Sequence, residues 1–239
     1  MMRKAWILLI VLVFILAAGC GREDQKPPAD ETPEAEVTEE AETAKEERRP
    51  LKVVFYGASN FGRWEELSDL FPDTEAVNTA INGSTDKSQL EKAPEAVYAF
   101  EPDLVFIQTA TNDFSKGMTL EEVLEEKRLY FETLKENLPL TRFVIMAPLP
   151  QPGRPDFWED VQKVTDWIHE WCGENEDFYC IDTTEEMLRE SGPEELLAGE
   201  GKYYAPDLFE KDGIHLNEKG RTIWQEAIED FLEEAGDLG

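Results

Sequence analysis

The chain has 239 residues, of which 53 are Asp or Glu and 23 are Lys or Arg, so its formal net charge is −30. This acidic surplus disfavours nucleic acids and polyanionic substrates as partners, because like charges repel. The sequence contains no Cys/His cluster with metal-ligand spacing and no glycine-rich phosphate loop, so we expect neither a metal nor another cofactor.

The first nineteen residues are predicted to be a targeting signal. Arg3 and Lys4 supply positive charge, and the fourteen apolar residues AWILLIVLVFILAA follow at 5–18. That run is too short for a comfortable membrane-spanning helix and is typical of a signal-peptide core. It leads into LAAGC, which resembles the lipobox of bacterial lipoproteins, although Ala17 stands where Leu is usual. The resemblance implies cleavage before Cys20 and a lipid on its sulfur, with the protein anchored by lipid alone on the extracytoplasmic face of a cell membrane. The alternative is a plain secretory signal with a chance cysteine.

Residues 20–50 are predicted to be a disordered acidic linker behind the lipidated cysteine. They are rich in Glu, Pro and Ala and contain no aromatic residue, so burial cannot compensate the entropy lost on ordering. Of the net charge of −30, the first nineteen residues carry +2 and the linker −6, which leaves −26 on residues 51–239. Those 189 residues suffice for one domain with a sizeable core.

From Leu51 onward, short apolar runs alternate with longer amphipathic ones. The runs at 51–56, 75–80, 103–110, 142–147 and 178–182 are predicted strands, and several are apolar on both faces, as in a covered parallel sheet. Helical patterns occur at 61–70, 89–100, 120–138, 157–172 and 218–234. Thr119 with Glu122 indicates a capping box, and Asn217 is a candidate cap of the last helix. This alternation predicts an α/β domain with a doubly wound, flavodoxin-like parallel sheet and helices on both faces.

Four short segments carry polar groups to places where strands end or the last helix begins. They are YGASN with Ser59, NTAINGS with Gly83, QTATNDF with Asn112, and KDGIHLN with Asp212 and His215. Ligands of such sheets bind beyond the carboxyl ends of the strands. Gly, Ser and Asn are also ordinary turn residues, so the first segment alone does not identify a nucleophile.

Together these segments supply what acyl transfer from an ester requires. A serine hydroxyl needs a base, and His215 is one of only two histidines. Asp212 can orient the imidazole from the same turn. The N–H groups of Ser59 and Gly83 and the amide of Asn112 are candidate donors to an oxyanion.

The segments FYGASN, INGST, TATND and DGIHLN resemble blocks I, II, III and V of the SGNH hydrolases, also called GDSL esterases. The likeness runs from Val53 to Trp224, and block I is closest to a branch that reads G-S-S. It implies an SGNH hydrolase fold, the catalytic triad Ser59, Asp212 and His215, and the oxyanion hole Ser59, Gly83 and Asn112. Ala58 replaces the block I Asp and Ala110 the usual block III Gly, and neither change removes a catalytic group. Phe61 leaves the chain without the G-x-S-x-G elbow of typical α/β-hydrolases.

Several further residues have two interpretations. Trp158, Tyr203 and Tyr204 lie on two long predicted loops, 148–158 and 192–212, where they would contact substrate or pack the loops onto the domain. Cys172 and Cys180 would form a disulfide in an exported protein or remain free thiols. His169 is interpreted as a helix-surface residue, Asp113 as a structural hydrogen-bonder, and Trp64, Trp167, Trp171 and Trp224 as core.

These observations predict a membrane-tethered, extracytoplasmic serine esterase that removes small acyl groups, above all acetyl, from carbohydrate esters. The expected partner is an acylated small molecule or a neutral glycan, because an acidic domain would repel uronate-rich polymers. Three alternatives stay open: an O-acetyl transferase to a sugar hydroxyl, a lipid esterase, and a catalytically silent carbohydrate-binding lipoprotein. The sequence leaves the oligomeric state and the choice between inner and outer membrane open.

Overall fold

The apolar segments of the sequence form one parallel sheet in a computed structural model that describes residues 49–108, 111–149, 151–190, 202–204 and 206–237. The predicted signal, Cys20 and the linker up to residue 48 lie outside these ranges. The described residues from Arg49 onward belong to one compact unit. None of the helices within these ranges is long and apolar enough to cross a membrane.

The sheet has five parallel strands in the order β2-β1-β3-β4-β5. Their bounds are β1 (Leu51–Gly57), β2 (Thr74–Asn78), β3 (Leu104–Gln108), β4 (Arg142–Met146) and β5 (Phe178–Ile181). This order confirms the predicted doubly wound α/β fold. The chain direction across the sheet reverses between β1 and β3, and ligands of such sheets bind at that switch point. A short antiparallel pair, β6 (Leu188–Glu190) and β7 (Lys202–Tyr204), follows the sheet in the chain.

Seven α-helices connect or follow these strands in the described ranges. They are α1 (Ser59–Gly62), α2 (Asp86–Ala96), α3 (Asn112–Ser115), α4 (Leu120–Asn137), α5 (Trp158–Glu174), α6 (Thr184–Met187) and α7 (Glu218–Asp237). Short 3₁₀ helices occupy Leu67–Leu70, Tyr98–Phe100, Pro155–Phe157 and Pro206–Leu208. The predicted capping box of Thr119 and Glu122 starts α4. The side-chain oxygen of Asn217 accepts the N–H groups of Lys219 and Gly220, so this residue caps α7 as predicted.

The prediction of one helix over 61–70 is wrong. Helix α1 stops at Gly62, and a separate 3₁₀ helix begins at Leu67. The side-chain amide of Asn78 donates to the carbonyls of Phe61, at 2.9 Å, and Trp64, at 3.2 Å. A continuing helix would use these carbonyls for its own ladder, so Asn78 stabilises the break. The predicted helix over 89–100 likewise divides into α2, which starts three residues earlier, and the 3₁₀ helix at Tyr98–Phe100.

Alternate residues of each strand enter two separate hydrophobic clusters, one on each face of the sheet. On one face, Phe55 stacks on Phe106 at 5.1 Å, in the cluster that includes Trp224 of α7. On the other face, Phe143 stacks on Phe178 at 5.0 Å, in the cluster that includes Phe131 of α4. Helices therefore cover both faces, and the strand ends that carry the polar loops rest on a packed core.

Candidate active site

Ser59 is placed by an unusually close approach of two strand ends. Gly57 has φ 149°, and a Cβ there would lie 2.5 Å from the carbonyl oxygen of Gln108. Only glycine allows this approach, because the conformation and the space both exclude a side chain. The N–H of Ala58 donates to Oε1 of Gln108 at 3.0 Å. Gln108 thus holds Ala58, which precedes Ser59 and stands where block I usually has Asp.

The three predicted triad residues lie in one hydrogen-bonded series. Nε2 of His215 lies 2.8 Å from Oγ of Ser59, and Nδ1 of His215 lies 2.6 Å from Oδ2 of Asp212. The series joins residues 156 positions apart in the chain. The geometry allows His215 to accept the Ser59 proton at Nε2 while its Nδ1–H donates to the carboxylate.

Asp212 is ionised at neutral pH. Burial alone would raise the pKa of this carboxyl, but hydrogen bonds from the His215 ring and from the N–H groups of Ile214 and His215 lower it to about 2. Oδ1 accepts the two backbone donors at 2.9 and 3.1 Å. One oxygen therefore shapes the turn and the other orients the base.

The turn that carries Asp212 and His215, residues 212–216, is held to the rest of the site by three hydrogen bonds besides that of His215 to Ser59. The N–H of Leu216 donates to the buried side-chain oxygen of Asn60 at 2.9 Å, which ties the turn to the neighbour of Ser59. The N–H of Gly153 donates to the carbonyl of Gly213 at 2.9 Å. A Cβ on Gly153 would clash with the carbonyl oxygen of Asp212. Gln151 adds a side-chain bond of 3.2 Å to the carbonyl of Ile214.

The loops with the candidate oxyanion donors meet beside Ser59. Gly57, two residues before it, accepts at its carbonyl from the N–H of Ile81 at 2.8 Å and from the hydroxyl of Ser84 at 3.1 Å. The amide nitrogen of Asn112 donates to the carbonyl of Ser84 at 2.9 Å. Gly83 lies between these tethers with φ 75°. Within the described ranges, the N–H groups of Ser59 and Gly83 have no acceptor, so they remain able to bind an oxyanion.

The sequence profile of the GDSL-like lipase/acylhydrolase family matches residues 43–223, three quarters of the chain. The chain belongs to this family. Membership implies ester hydrolase activity and agrees with the resemblance seen in the four blocks. A comparison with curated protein sequences gave no match.

Several solved structures have a similar fold. A GDSL-like lipase from Bacteroides thetaiotaomicron is similar with a TM-score of 0.64 and 22% identity, over 79% of this chain and 92% of that one. The lipase/acylhydrolase from Enterococcus faecalis has a TM-score of 0.59 and 16% identity, over 74% and 93%. A carbohydrate esterase family 3 protein from Talaromyces cellulolyticus has a TM-score of 0.55 and 16% identity, over 77% and 97%. At these identities the likeness shows the fold alone.

Sequence reasoning missed part of the site in this GDSL-like protein. Arg154, in the loop between β4 and α5, donates to Oγ1 of Thr111 at 2.7 Å and to Oδ1 of Asn112 at 3.3 Å. The hydroxyl of Thr111 in turn donates to Oε1 of Gln151 at 2.8 Å. The available signal was that Arg154 is the only basic residue in a long loop after a strand end.

A buried ionic cluster lies next to the segment that carries Asn112, a candidate oxyanion donor of this acylhydrolase. Lys127 of α4 and Asp86 of α2 form an ion pair at 2.6 Å, and both side chains are 1% exposed. Oδ1 of Asp113 accepts the N–H of Asp86 at 3.2 Å, in agreement with the structural role expected for Asp113. Burial and the nearby charge of Asp86 raise the pKa of Asp113 to about 7. This cluster joins α2, α3 and α4 beneath Asn112.

The three predicted substrate-contact residues are Trp158, Tyr203 and Tyr204. Trp158 is half-buried and packs against the hydrophobic cluster that includes Trp224 of α7, so packing explains its position. Tyr203 and Tyr204 lie on β7, whose side chains are not among those described. Their contact with substrate stays a prediction, as does that of Trp158.

Cys172 and Cys180 are free thiols in the structure rather than the candidate disulfide. Both are partly buried, and burial raises the pKa of each to about 12, so neither is a nucleophile at neutral pH. His169 is half-exposed on α5, with Nε2 2.9 Å from Asp182. In the described ranges, no group of three His, Cys, Asp or Glu residues could hold a metal ion.

Proposed function

We propose that the protein is a membrane-tethered, extracytoplasmic serine esterase that removes small acyl groups, above all acetyl, from carbohydrate esters. The observation that carries the proposal is the hydrogen-bonded series from Ser59 through His215 to Asp212, at 2.8 and 2.6 Å. Ser59 supplies the hydroxyl that is hydrogen-bonded to the His215 ring, which makes it the nucleophile in this proposal.

The reaction begins when Oγ of Ser59 attacks the ester carbonyl and gives its proton to Nε2 of His215. Asp212 stabilises the resulting imidazolium through its bond to Nδ1. The negative charge on the carbonyl oxygen is bound by the N–H groups of Ser59 and Gly83 and by the amide of Asn112. The imidazolium of His215 then protonates the sugar oxygen as its bond to the carbonyl carbon breaks, so the sugar leaves as an alcohol and the acyl group stays on Ser59. His215 next takes a proton from a water molecule, which hydrolyses the acyl-enzyme.

Four considerations support a small acyl group on a neutral glycan. The sequence between the blocks has no long apolar segment that would line an acyl-chain tunnel. The domain charge of −26 disfavours anionic polymers. A protein held outside the cytoplasm by a lipid on Cys20 would meet glycans before cytoplasmic metabolites. The structural neighbour from Talaromyces cellulolyticus is described as a carbohydrate esterase.

The test compares p-nitrophenyl esters from C2 to C8 with acetylated neutral polysaccharides, using the full chain and a Ser59→Ala variant. We expect kcat/KM to be highest for C2, acetate to leave the glycan, and the variant to lose activity a thousand-fold or more, by an order-of-magnitude comparison with triad deletions. Rising kcat/KM from C2 to C8 without release of acetate would identify a lipid esterase. Acylation of an added sugar in place of hydrolysis would identify a transferase. No turnover of any ester would indicate a catalytically silent carbohydrate-binding protein.

Tethering is tested separately by cell fractionation. The wild type should sediment with membranes and a Cys20→Ser variant should be released, since a thioether-linked lipid needs the sulfur. Equal incorporation of labelled fatty acid into both proteins would refute lipidation at Cys20.

A further inference from the structure

Arg154 lies at the oxyanion side of the candidate active site. Its two terminal nitrogens each lie 3.3 Å from Oδ1 of Asn112, and Nη1 also donates to Oγ1 of Thr111 at 2.7 Å. The side chain is half-buried. Burial lowers the pKa of Arg154, while the negative charge of Asp212 opposes that change. A guanidinium keeps its charge in proteins, so Arg154 can only donate hydrogen bonds.

The side-chain amide of Asn112 therefore has a different partner at each end. Oδ1 faces the donors of Arg154, and Nδ2 faces the carbonyl oxygen of Ser84 at 2.9 Å. Rotating the amide by 180° would set its NH₂ against the guanidinium and its oxygen against the carbonyl. Both contacts would be repulsive, so the two partners select one orientation.

The selected orientation matters because Nδ2 has two hydrogens. One is used by the carbonyl of Ser84, and the other has no acceptor among the residues that the structure describes. We propose that Arg154 is a positioning residue for catalysis, which holds the Asn112 amide with its second N–H directed at the oxyanion. The inference rests on the proposed role of Asn112 as an oxyanion donor.

Arg154 also links this donor to the catalytic turn. Thr111, which accepts from Arg154, donates to Gln151, and Gln151 donates to the carbonyl of Ile214 in the turn with Asp212 and His215. The loop after β4 thus contacts Thr111 and Asn112 on one side and the turn that carries Asp212 and His215 on the other. Among the described contacts of the amide, loss of the guanidinium would leave only the carbonyl of Ser84 to select its orientation. The resulting defect should be smaller than removal of the amide itself.

The test is a double-mutant cycle on p-nitrophenyl acetate with Arg154→Met, Asn112→Ala and the combined variant. We expect Arg154→Met to lower kcat about 10- to 50-fold with KM changed less than about two-fold, a fraction of the roughly 100- to 1,000-fold loss for removal of a donor. In the Asn112→Ala background, the Arg154 change should lower kcat by no more than about two-fold, because residues that act through one another are not additive. Arg154→Lys keeps the charge but not the two-nitrogen contact, so it should restore only part of the loss. Arg128→Met, on the exposed surface of α4, removes the same charge from a side chain that pairs with Glu125 and Glu132, and it should leave kcat unchanged.

Each contrary result has a distinct meaning. Equal losses from Arg154→Met in both backgrounds would overturn the inference, because Arg154 would then act independently of Asn112. A rise in KM with unchanged kcat would overturn it in favour of substrate binding by Arg154. If Arg154→Met fails to fold by circular dichroism, full activity of Arg154→Lys would overturn the inference, since charge alone would suffice. Failure of Asn112→Ala to lower kcat would instead refute the proposed function of Asn112.

Discussion

Asp212→Asn, compared with Asp212→Ala, separates two roles of the carboxylate. In the wild type, Oδ1 accepts two backbone N–H groups of the turn and Oδ2 lies 2.6 Å from Nδ1 of His215. In the Asn variant, the amide oxygen should keep the two backbone donors, because an NH₂ group there would face both of them. The NH₂ group then faces Nδ1, which must accept and therefore carry no proton. His215 is left with its proton on Nε2, 2.8 Å from Ser59, and cannot act as a base.

Fixing His215 in this tautomer should lower kcat about 10⁴-fold, as in the comparable serine protease change. This corresponds to roughly 5.5 kcal/mol in activation free energy. The Ala variant loses the charge and both carboxylate oxygens, including the acceptor of the two backbone N–H groups, but its imidazole is free to adopt either tautomer. A charge pair about 4 Å apart is worth ~1 kcal/mol in water and ~4 kcal/mol at an effective dielectric constant near 20. The Asp212 side chain is 40% exposed, so loss of the charge should cost roughly 2 to 3 kcal/mol, about 30- to 150-fold in kcat, and loosening of the turn adds to this.

Asp212→Ala is therefore expected to lower kcat less than Asp212→Asn does. Initial rates of p-nitrophenyl acetate hydrolysis at pH 8 give the comparison, with Ser59→Ala protein as the background and thermal unfolding as the control for folding. If the Asn variant is as active as the Ala variant, or more active, Asp212 does not set the tautomer of His215 and the reasoning fails.

Three other substitutions probe the site and its support. Asn112→Ala should lower kcat roughly 100- to 1,000-fold with little change in KM; a rise in KM alone would show that Asn112 binds ground-state substrate. The Asp113 carboxyl has its pKa raised from 3.8 to about 7, so the folded state holds a proton that the unfolded chain has released, and stability falls as pH rises between these values. Urea unfolding at pH 5 and pH 8 should show this loss in the wild type, roughly 2 to 3 kcal/mol, and its absence in Asp113→Asn; equal pH dependence would contradict it. Gly153→Ala should lower kcat at least about ten-fold, because its Cβ meets the carbonyl of Asp212, whereas Gly173→Ala meets nothing within 4 Å and should be harmless or slightly stabilising; equal activity of the two variants would contradict the contact.

The sequence predicted the five strands because their burial on both faces leaves a continuous apolar run, as in LVFIQ of β3. It placed Ser59, Asp212 and His215 because each lies in a short segment with a recognisable neighbourhood. It could not show how Ala58 is held, because the compensating group is Gln108 on another strand.

The same limit explains why the sequence did not predict the break in the helix at 61–70 or the contacts of Arg154. The break after Gly62 depends on Asn78, seventeen residues beyond Phe61. Arg154 acts across 42 positions on Asn112. Local pattern describes what each segment can do alone, whereas these features arise from side chains that meet only after the sheet has formed.

The spacing of the triad also has a consequence for how the enzyme comes into being during synthesis. Asp212 and His215 bond to each other across three positions, but the base reaches the nucleophile across 156. A nascent or truncated chain that stops before residue 212 contains Ser59, Gly83 and Asn112 and has no base. The protein therefore becomes an esterase only after its C-terminal turn has been made and docked, so hydrolytic activity reports completion of the chain as well as its folding.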